Sequence, residues 1–359
     1  MKTLILSCNT GQGHNSAGLA IKEYYENQNV ECEMLDALSF INDLFSDFIC
    51  KGHVSICNHA PFIFDKGYKM AENNQDFFKE DSIALKLISK KCEDLYNYIT
   101  ENNYTQVICT HVFAGMMMTK IANDFDLKCK TSFVFTDYTC HPGAKYLNVD
   151  HFFVPCNYIN EKLQHLGIAE EKIVTSGIPI KDKFYQNNGL RDDGKKNILI
   201  STGSLGGGPL KKVVTALLND VKDGYIKVVC GKNEKLKKKL QKEFEDNPRV
   251  EILGFISDID KLMDKADVFI TKPGGISTTE AVNKILPMLF INILGACEDY
   301  NKQYFVDLGC AKTFDDVEQL SKECYNLLNN PEEYNEIMEN LKVLKKYNSA
   351  KIIFETMAS

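Results

Sequence analysis

The stretch "TLILSCNTGQGHNSAGLAI", residues 3 to 21, runs from an apolar segment through a glycine-rich turn into a segment with helical spacing. The apolar residues 4 to 6 have the character of a buried strand, and a buried strand that leads directly into a helix is typical of an α/β sheet. His14 stands just past two glycines of the turn. A histidine there can touch a phosphate, perform chemistry or fill the turn.

The composition describes a soluble globular protein. The chain has 359 residues, of which 44% are hydrophobic and 25% charged, and this length is more than one core usually serves, so two domains are expected. A net charge of -7 argues against a nucleic-acid partner, which would need a basic face. Because no long apolar run and no signal peptide are recognisable, we expect a cytoplasmic protein without a membrane span.

The thirteen cysteines are mostly scattered through strand-like runs, where a thiol serves as a small buried hydrophobe in a reducing compartment. One group, "CKGHVSICNH" at residues 50 to 59, loosely resembles a zinc site. Its spacing fits no standard zinc pattern, and packing or acceptor binding explains it as well. We therefore predict neither a metal nor any other cofactor.

Short β-rich runs alternate with helical stretches from end to end, and the polar segment 181–196 separates two such series. Crossovers of helix length make the strands of each series parallel. The predicted fold class is α/β, with two Rossmann-like, doubly wound domains, residues 1–180 and 197–345, facing each other across a cleft. Residues 346–359 are predicted to form a closing helix that can pack back on the first domain.

Two further glycine-rich turns follow predicted strands, "STGSLGGGPLKKV" at 201 to 213 and "TKPGGISTTEAV" at 271 to 282. The first can wrap an anion, and the second opens a helix whose unpaired N–H groups, with the hydroxyls of Ser277 and Thr278, can face one. Tight packing turns are the alternative. Neither turn is a Walker A motif, and residues 9 to 18 lack the dinucleotide fingerprint.

Six motifs occur in order along the chain: "GQGHNSAGLAI" (11–21), "FTDYTCHPG" (135–143), "SGIPI" (176–180), "GFISDI" (254–259), "TKPGGISTTEAVNKILPML" (271–289) and "EDYN" (298–301). Together they resemble the monogalactosyldiacylglycerol synthase family of glycosyltransferases, which includes bacterial processive diacylglycerol glucosyltransferases. The family is similar to the N-acetylglucosaminyltransferase of the peptidoglycan lipid precursor. The resemblance covers nearly the whole chain.

The resemblance implies a GT-B enzyme that takes a hexose from a UDP-sugar, inverts the anomeric configuration and passes the hexose to a membrane lipid, diacylglycerol in the first instance. By the family pattern the diphosphate would be held by two turns, which contain Gly203, Ser204, Gly206, Gly207, Gly274, Gly275, Ser277 and Thr278. Glu280 would bind the ribose and Phe255 would border the uracil. Glu298 and Asn301 would contact the hexose.

His14 now has a predicted role as the general base, because the acceptor hydroxyl must lose its proton on the face opposite UDP. A helix N-terminus would lower its pKa and favour the neutral ring. Asp137 is the competing base, or orients the acceptor or His14, or only caps a turn. His141 and Gly13 are predicted to line the acceptor pocket.

Residues 40–80 are long and apolar for a plain crossover and carry interspersed lysines. Such a segment can lie in a lipid interface or pack as a helical subdomain. With the family resemblance, it predicts an enzyme at the inner face of the cell membrane whose partners are the UDP-sugar, the lipid acceptor and an anionic membrane surface.

Three alternatives stay open: a transferase acting on a polyprenyl-linked precursor, a UDP-N-acetylglucosamine 2-epimerase of the same fold, and a silent nucleotide-sugar-binding subunit. Cys297 stands where the family usually has a glutamine, and this departure leaves the hexose undecided. The sequence does not decide the oligomeric state.

Overall fold

The computed structural model describes residues 1–9, 12–40, 91–186, 194–291, 297–314, 316–345 and 348–359. The chain divides into two compact units. The first comprises Met1–Asp182 and Lys346–Ser359, and the second comprises Lys183–Lys345. Most of the proposed membrane segment 40–80, the cysteine–histidine group at 50–59 and part of the predicted linker lie outside the described residues.

The first unit contains a six-stranded sheet in the order β2-β1-β3-β4-β5-β6, and all of its pairings are parallel. Its strands are β1 (Lys2–Ser7), β2 (Glu31–Asp36), β3 (Gln106–Cys109), β4 (Lys130–Val134), β5 (His151–Val154) and β6 (Ile173–Thr175). Its helices up to residue 182 are α1 (Gln12–Asn27), α2 (Cys92–Glu101), α3 (Val112–Asp124) and α4 (Asn157–His165). Leu4, Ile5 and Leu6 are fully buried, because both faces of a parallel sheet are covered.

The second unit contains another parallel six-stranded sheet, in the order β12-β11-β10-β7-β8-β9. Its strands are β7 (Lys196–Ser201), β8 (Gly224–Val229), β9 (Val250–Leu253), β10 (Val268–Thr271), β11 (Met288–Phe290) and β12 (Ala311–Thr313). Its helices are α5 (Leu210–Asp220), α6 (Glu234–Phe244), α7 (Ile259–Lys265), α8 (Gly275–Asn283), α9 (Cys297–Asp307), α10 (Val317–Asn329) and α11 (Pro331–Leu344).

The strand order reverses once in each sheet, between β1 and β3 in the first and between β7 and β10 in the second. Open parallel sheets bind ligands beyond the carboxyl ends of the strands at such a reversal. The turns that follow β1, β3, β7 and β10 are therefore the places to look for a site. The predicted α/β class with two doubly wound sheets is confirmed.

The last helix, α12 (Ser349–Ala358), returns to the first unit. Ile353 and Met357 are buried in one cluster with Ile21 and Tyr25 of α1. The Gln106 side-chain amide donates to the Met357 carbonyl at 2.7 Å, which ties the end of the chain to β3. Among the helices in the described ranges, none has both the length and the hydropathy needed to cross a bilayer.

Candidate active site

His14 lies in the first turn of α1, directly after β1. Its Nδ1 lies 2.7 Å from the carbonyl oxygen of Thr110, which follows β3, and 3.0 Å from the hydroxyl of Thr136, which follows β4. A carbonyl oxygen can only accept, so Nδ1 carries the hydrogen and Nε2 of the neutral ring carries the lone pair. Residues after two neighbouring strands, β3 and β4, thus hold His14 with the lone pair on Nε2.

Burial lowers the pKa of His14 below its ordinary value of 6.5, while the hydrogen bond to Thr110 acts in the opposite direction. The ring is therefore neutral at neutral pH and can accept a proton. A lowered pKa is also the sequence-based expectation, which attributes it to the N-terminus of α1. In the structure the larger cause is desolvation of the ring.

Two more histidines lie around His14. The His111 ring meets the His14 ring edge-on, with centroids 4.6 Å apart, and its Nδ1 accepts the Phe113 amide at 3.2 Å. His141 Nδ1 accepts the Gly143 amide at 3.0 Å. Burial, and secondarily His14, lower the pKa of His141 to about 4. In both neutral rings the hydrogen therefore sits on Nε2, opposite to the arrangement in His14.

His141 lies close enough to His14 for His14 to lower its pKa. Gly13 precedes His14 in the first turn of α1, and half-buried Asp137 directly follows Thr136. The roles of Asp137, His141 and Gly13 stay predictions. Sequence reasoning missed His111, whose position just after β3 could have revealed it.

In the second unit, the turn after β7 needs glycine at defined places. Gly203 and Gly206 have φ of 85° and 59°, in the left-handed region. A Cβ on Gly206 would lie 2.1 Å from the Cys230 carbonyl oxygen. The Thr202 hydroxyl accepts from the Gly207 amide and donates to the Gly207 carbonyl, both at 2.9 Å. The turn is therefore held in one shape by its own chain.

The turn after β10 leads into α8, and Gly274 is its N-cap. The hydroxyls of Ser277 and Thr278 donate to the Gly274 carbonyl at 3.2 and 2.9 Å, so both turn back onto the first turn of the helix. Half-buried Glu280 lies further along α8. The N-terminus of α8, which begins at Gly275, can attract an anion through its unpaired N–H groups.

Helix α9 packs against the turn after β10. The Asn301 side-chain amide is fully buried and donates to the Pro273 carbonyl at 3.0 Å. Glu298, only 8% exposed, pairs with the ammonium of Lys272 at 2.5 Å. The residues predicted for the hexose, Glu298 and Asn301, therefore lie against the turn predicted for the diphosphate. Sequence reasoning missed Lys272, although the quoted motif contains it.

Phe255 follows β9 and is 61% exposed. The Lys232 ammonium lies 5.8 Å from its ring centroid, and the Lys232 amide donates to the Ser204 carbonyl at 2.7 Å. Phe255 thus lies near the turn after β7, and its contact with uracil stays a prediction. Among the described residues, no group of three or more histidine, cysteine or acidic side chains is placed to hold a metal ion. The absence of a metal cofactor stays a prediction.

Comparisons with known proteins cover both units. The family model for monogalactosyldiacylglycerol (MGDG) synthase matches residues 14–180. The model for the glycosyltransferase family 28 C-terminal domain matches residues 197–353. A Bacillus pumilus protein named processive diacylglycerol beta-glucosyltransferase is 29% identical over 369 residues, covering 99% of this chain and 94% of that protein.

Among solved structures, Acinetobacter baumannii MurG aligns with a TM-score of 0.66 at 15% identity, covering 99% of both chains. A UDP-GlcNAc 2-epimerase from Neisseria meningitidis bound to UDP-GlcNAc aligns with a TM-score of 0.62 at 15% identity, covering 100% of both. At these identities the likeness shows the fold alone, which transferases and epimerases share. The two family models carry the assignment, and the chain belongs to the monogalactosyldiacylglycerol synthase family of glycosyltransferases, with a family 28 C-terminal domain.

Proposed function

We propose that this enzyme moves glucose from UDP-glucose to the free hydroxyl of a diacylglycerol in the membrane, with inversion at the anomeric carbon. The names of the bacterial relatives favour diacylglycerol as acceptor and glucose as hexose. The single observation that carries the chemistry is the hydrogen bond between His14 Nδ1 and the Thr110 carbonyl, because it makes Nε2 the basic nitrogen.

In the proposed reaction His14 Nε2 takes the proton of the acceptor hydroxyl as that oxygen bonds to the anomeric carbon. The bond between the anomeric carbon and the UDP oxygen breaks, and its electron pair leaves with UDP. Positioned proton transfer of this kind contributes roughly 100- to 10,000-fold to a rate. The lowered pKa of His14 keeps the base neutral and ready at cytoplasmic pH.

The leaving diphosphate gains negative charge, so groups that stabilise that charge accelerate the reaction. The turn at 203–208 and the N-terminus of α8 are the proposed sites of that stabilisation. The helix dipole alone is worth about 1 kcal/mol, and charge-assisted bonds from backbone N–H groups add to it. Glu280 is proposed for the ribose hydroxyls, since a carboxylate accepts two hydrogen bonds from a neutral diol.

The test is incubation of the purified chain with liposomes that contain diacylglycerol and, in parallel, UDP-glucose, UDP-galactose or UDP-N-acetylglucosamine. We expect hexosyl-diacylglycerol in the lipid fraction by mass spectrometry, with UDP-glucose the best donor and a β-linkage by NMR. UDP-N-acetylmannosamine formed without lipid would instead identify an epimerase. Transfer to a polyprenyl-linked acceptor, with none to diacylglycerol, would also overturn the proposal.

We also propose that the enzyme contacts the surface of the membrane. Diacylglycerol stays in the bilayer, so the enzyme must reach it there. Co-sedimentation with vesicles containing an anionic lipid, compared with neutral vesicles, measures this contact. We expect binding that weakens as salt is raised, because attraction to an anionic surface is screened. Equal binding to both vesicle types would remove the anionic surface as a partner.

A further inference from the structure

The ion pair between Lys272 and Glu298 lies between the two glycine turns of the second unit. Lys272 is the first residue after β10, and its Cε lies 3.2 Å from where a Cβ on Gly203 would stand. Glu298 Oε1 lies 3.9 Å from the corresponding position on Gly274. One member of the pair therefore lies beside each turn proposed for the diphosphate.

In this ion pair the lysine side chain is more exposed than the glutamate side chain. The Glu298 side chain is 11% exposed, whereas the Lys272 side chain keeps 26% of its surface exposed. A lysine ammonium has three rotatable donors on a flexible stem and can turn between neighbouring anions. A carboxylate as buried as Glu298 loses much when its cation leaves, unless other donors take the place of the cation.

We propose that Lys272 exchanges partners during turnover, pairing with Glu298 when the donor site is empty and with the diphosphate when UDP or UDP-sugar is bound. This inference rests on the proposed function. With UDP-sugar, hydroxyls of the hexose donate to Glu298 and replace the lysine. With UDP alone nothing replaces it, so Glu298 draws Lys272 back and UDP leaves.

Through this exchange the pair determines how much more tightly the enzyme binds the donor, UDP-glucose, than the product, UDP. Removing the charge of Lys272 weakens both UDP and UDP-glucose, because both carry the diphosphate. Removing the charge of Glu298 tightens UDP, since the lysine no longer has a competing anion. The same change lowers the preference for UDP-glucose over UDP, because a contact with the hexose is lost as well.

The experiment measures dissociation constants of UDP and UDP-glucose by calorimetry, without acceptor, for the wild type, Lys272→Gln, Lys272→Arg and Glu298→Gln. Lys302→Gln is the matched control, because Lys302 pairs with Asp299 at 2.9 Å on the same helix α9. Thermal unfolding of each variant checks folding. Steady-state transfer to diacylglycerol liposomes gives the inhibition constant of UDP as a second measure.

We expect Lys272→Gln to weaken UDP at least tenfold and Lys272→Arg to restore most of the affinity. Glu298→Gln should bind UDP at least threefold more tightly and raise product inhibition, while Lys302→Gln matches the wild type. Unchanged UDP affinity in folded Lys272→Gln, or weaker UDP binding in Glu298→Gln, overturns the exchange. If Lys272→Gln does not fold, the result with Glu298→Gln decides. A wild type that binds no UDP refutes the proposed function instead.

Discussion

The two units place different chemistry at equivalent points of similar sheets. After β1, β3 and β4, the first unit assembles histidines whose hydrogens are fixed by Thr110 and by two backbone amides. After β7 and β10, the second unit assembles glycine turns, the start of a helix and one ion pair. In the proposed reaction, the first region handles a proton with neutral side chains, and the second handles negative charge with backbone dipoles and a lysine.

The difference fits what each half of the proposed reaction demands. A general base must be neutral before it acts, and burial ensures this by disfavouring the imidazolium form. A leaving diphosphate is charged throughout, and fixed N–H groups stabilise it without rearranging. A doubly wound sheet therefore offers the same location for both tasks, and the residues after the strands decide which task is performed.

The strongest test of this difference between the two units is to remove the proposed base, His14. We expect His14→Ala to reduce kcat for transfer roughly 100- to 10,000-fold, the range that general-base catalysis supplies. UDP affinity should stay within about twofold of the wild type, since UDP is assigned to the other unit. The measurements are transfer to diacylglycerol liposomes and calorimetry with UDP.

His165→Ala is a matched control for His14→Ala. His165 Nδ1 also lies 2.7 Å from a backbone carbonyl oxygen, that of Glu161, but its ring lies exposed on α4. The same hydrogen-bond geometry thus occurs outside the cluster. Normal turnover in His14→Ala, or a loss of equal size in His165→Ala, would contradict the assignment of the base.

A second test concerns the backbone of the donor turn. Gly206→Ala would place a methyl group in the left-handed region and 2.1 Å from the Cys230 carbonyl oxygen. Backbone strain and overpacking together predict a loss of about 2 to 5 kcal/mol in the free energy of unfolding. Because the turn must shift, UDP affinity should fall at least tenfold. Urea unfolding and calorimetry measure the two effects.

Gly167→Ala separates strain from crowding. Gly167 has a φ of 87°, but a Cβ there would meet nothing within 4 Å. The substitution should cost about 1 to 2 kcal/mol and leave UDP binding as it is in the wild type. If Gly206→Ala binds UDP as tightly as Gly167→Ala does, the shape of the turn does not determine the donor site.

Local sequence patterns predicted most of the fold. Apolar runs such as 4–6 followed by glycine turns and helical spacing indicated two parallel sheets, and both are present. These signals are short-range, because a strand and the helix that follows it are adjacent in the chain. The same local reading placed His14 and the turns at 203–208 and 274–279 just after strands, where the structure has them.

The contacts that tune the site could not be predicted in this way, since they join distant residues. Thr110 and Thr136 lie 96 and 122 positions from His14, and their proximity depends on the strand order. Glu298 lies 26 positions from Lys272 and reaches it only because α9 packs on the turn after β10. A single sequence records none of these distances.

The buried histidines of the first unit should make the stability of the protein depend on pH. Burial lowers the pKa of His141 to about 4, whereas the unfolded chain takes up this proton near the ordinary value of 6.5. Below pH 6.5 the unfolded state therefore binds more protons than the folded state, and stability falls as pH falls. The loss from His141 alone is at most about 3 kcal/mol on reaching pH 4.

Urea unfolding between pH 7.5 and pH 4 measures this dependence, and His141→Asn should flatten it. His14 adds a loss of the same sign, since burial lowers its pKa too. The donor turns in the second unit are built from backbone groups that do not titrate. An unfolding free energy that rises on acidification, or a slope unchanged by His141→Asn, would show that the histidines are not held neutral.

The smallest expected effect comes from Thr136→Val. The Thr110 carbonyl already fixes the hydrogen on His14 Nδ1, so the Thr136 hydroxyl at 3.0 Å adds only a second, weaker acceptor. That acceptor stabilises the imidazolium more than the neutral ring, and its loss should lower the pKa of His14 further. One hydrogen bond is worth about 0.5 to 1.5 kcal/mol, so kcat should fall roughly two- to tenfold.

The acid limb of the pH–rate profile of Thr136→Val should move to lower pH while UDP affinity stays constant. An acid limb that moves to higher pH would mean that the hydroxyl donates to Nδ1, which would make Nδ1 the basic nitrogen and reverse the tautomer on which the contrast between the two units depends.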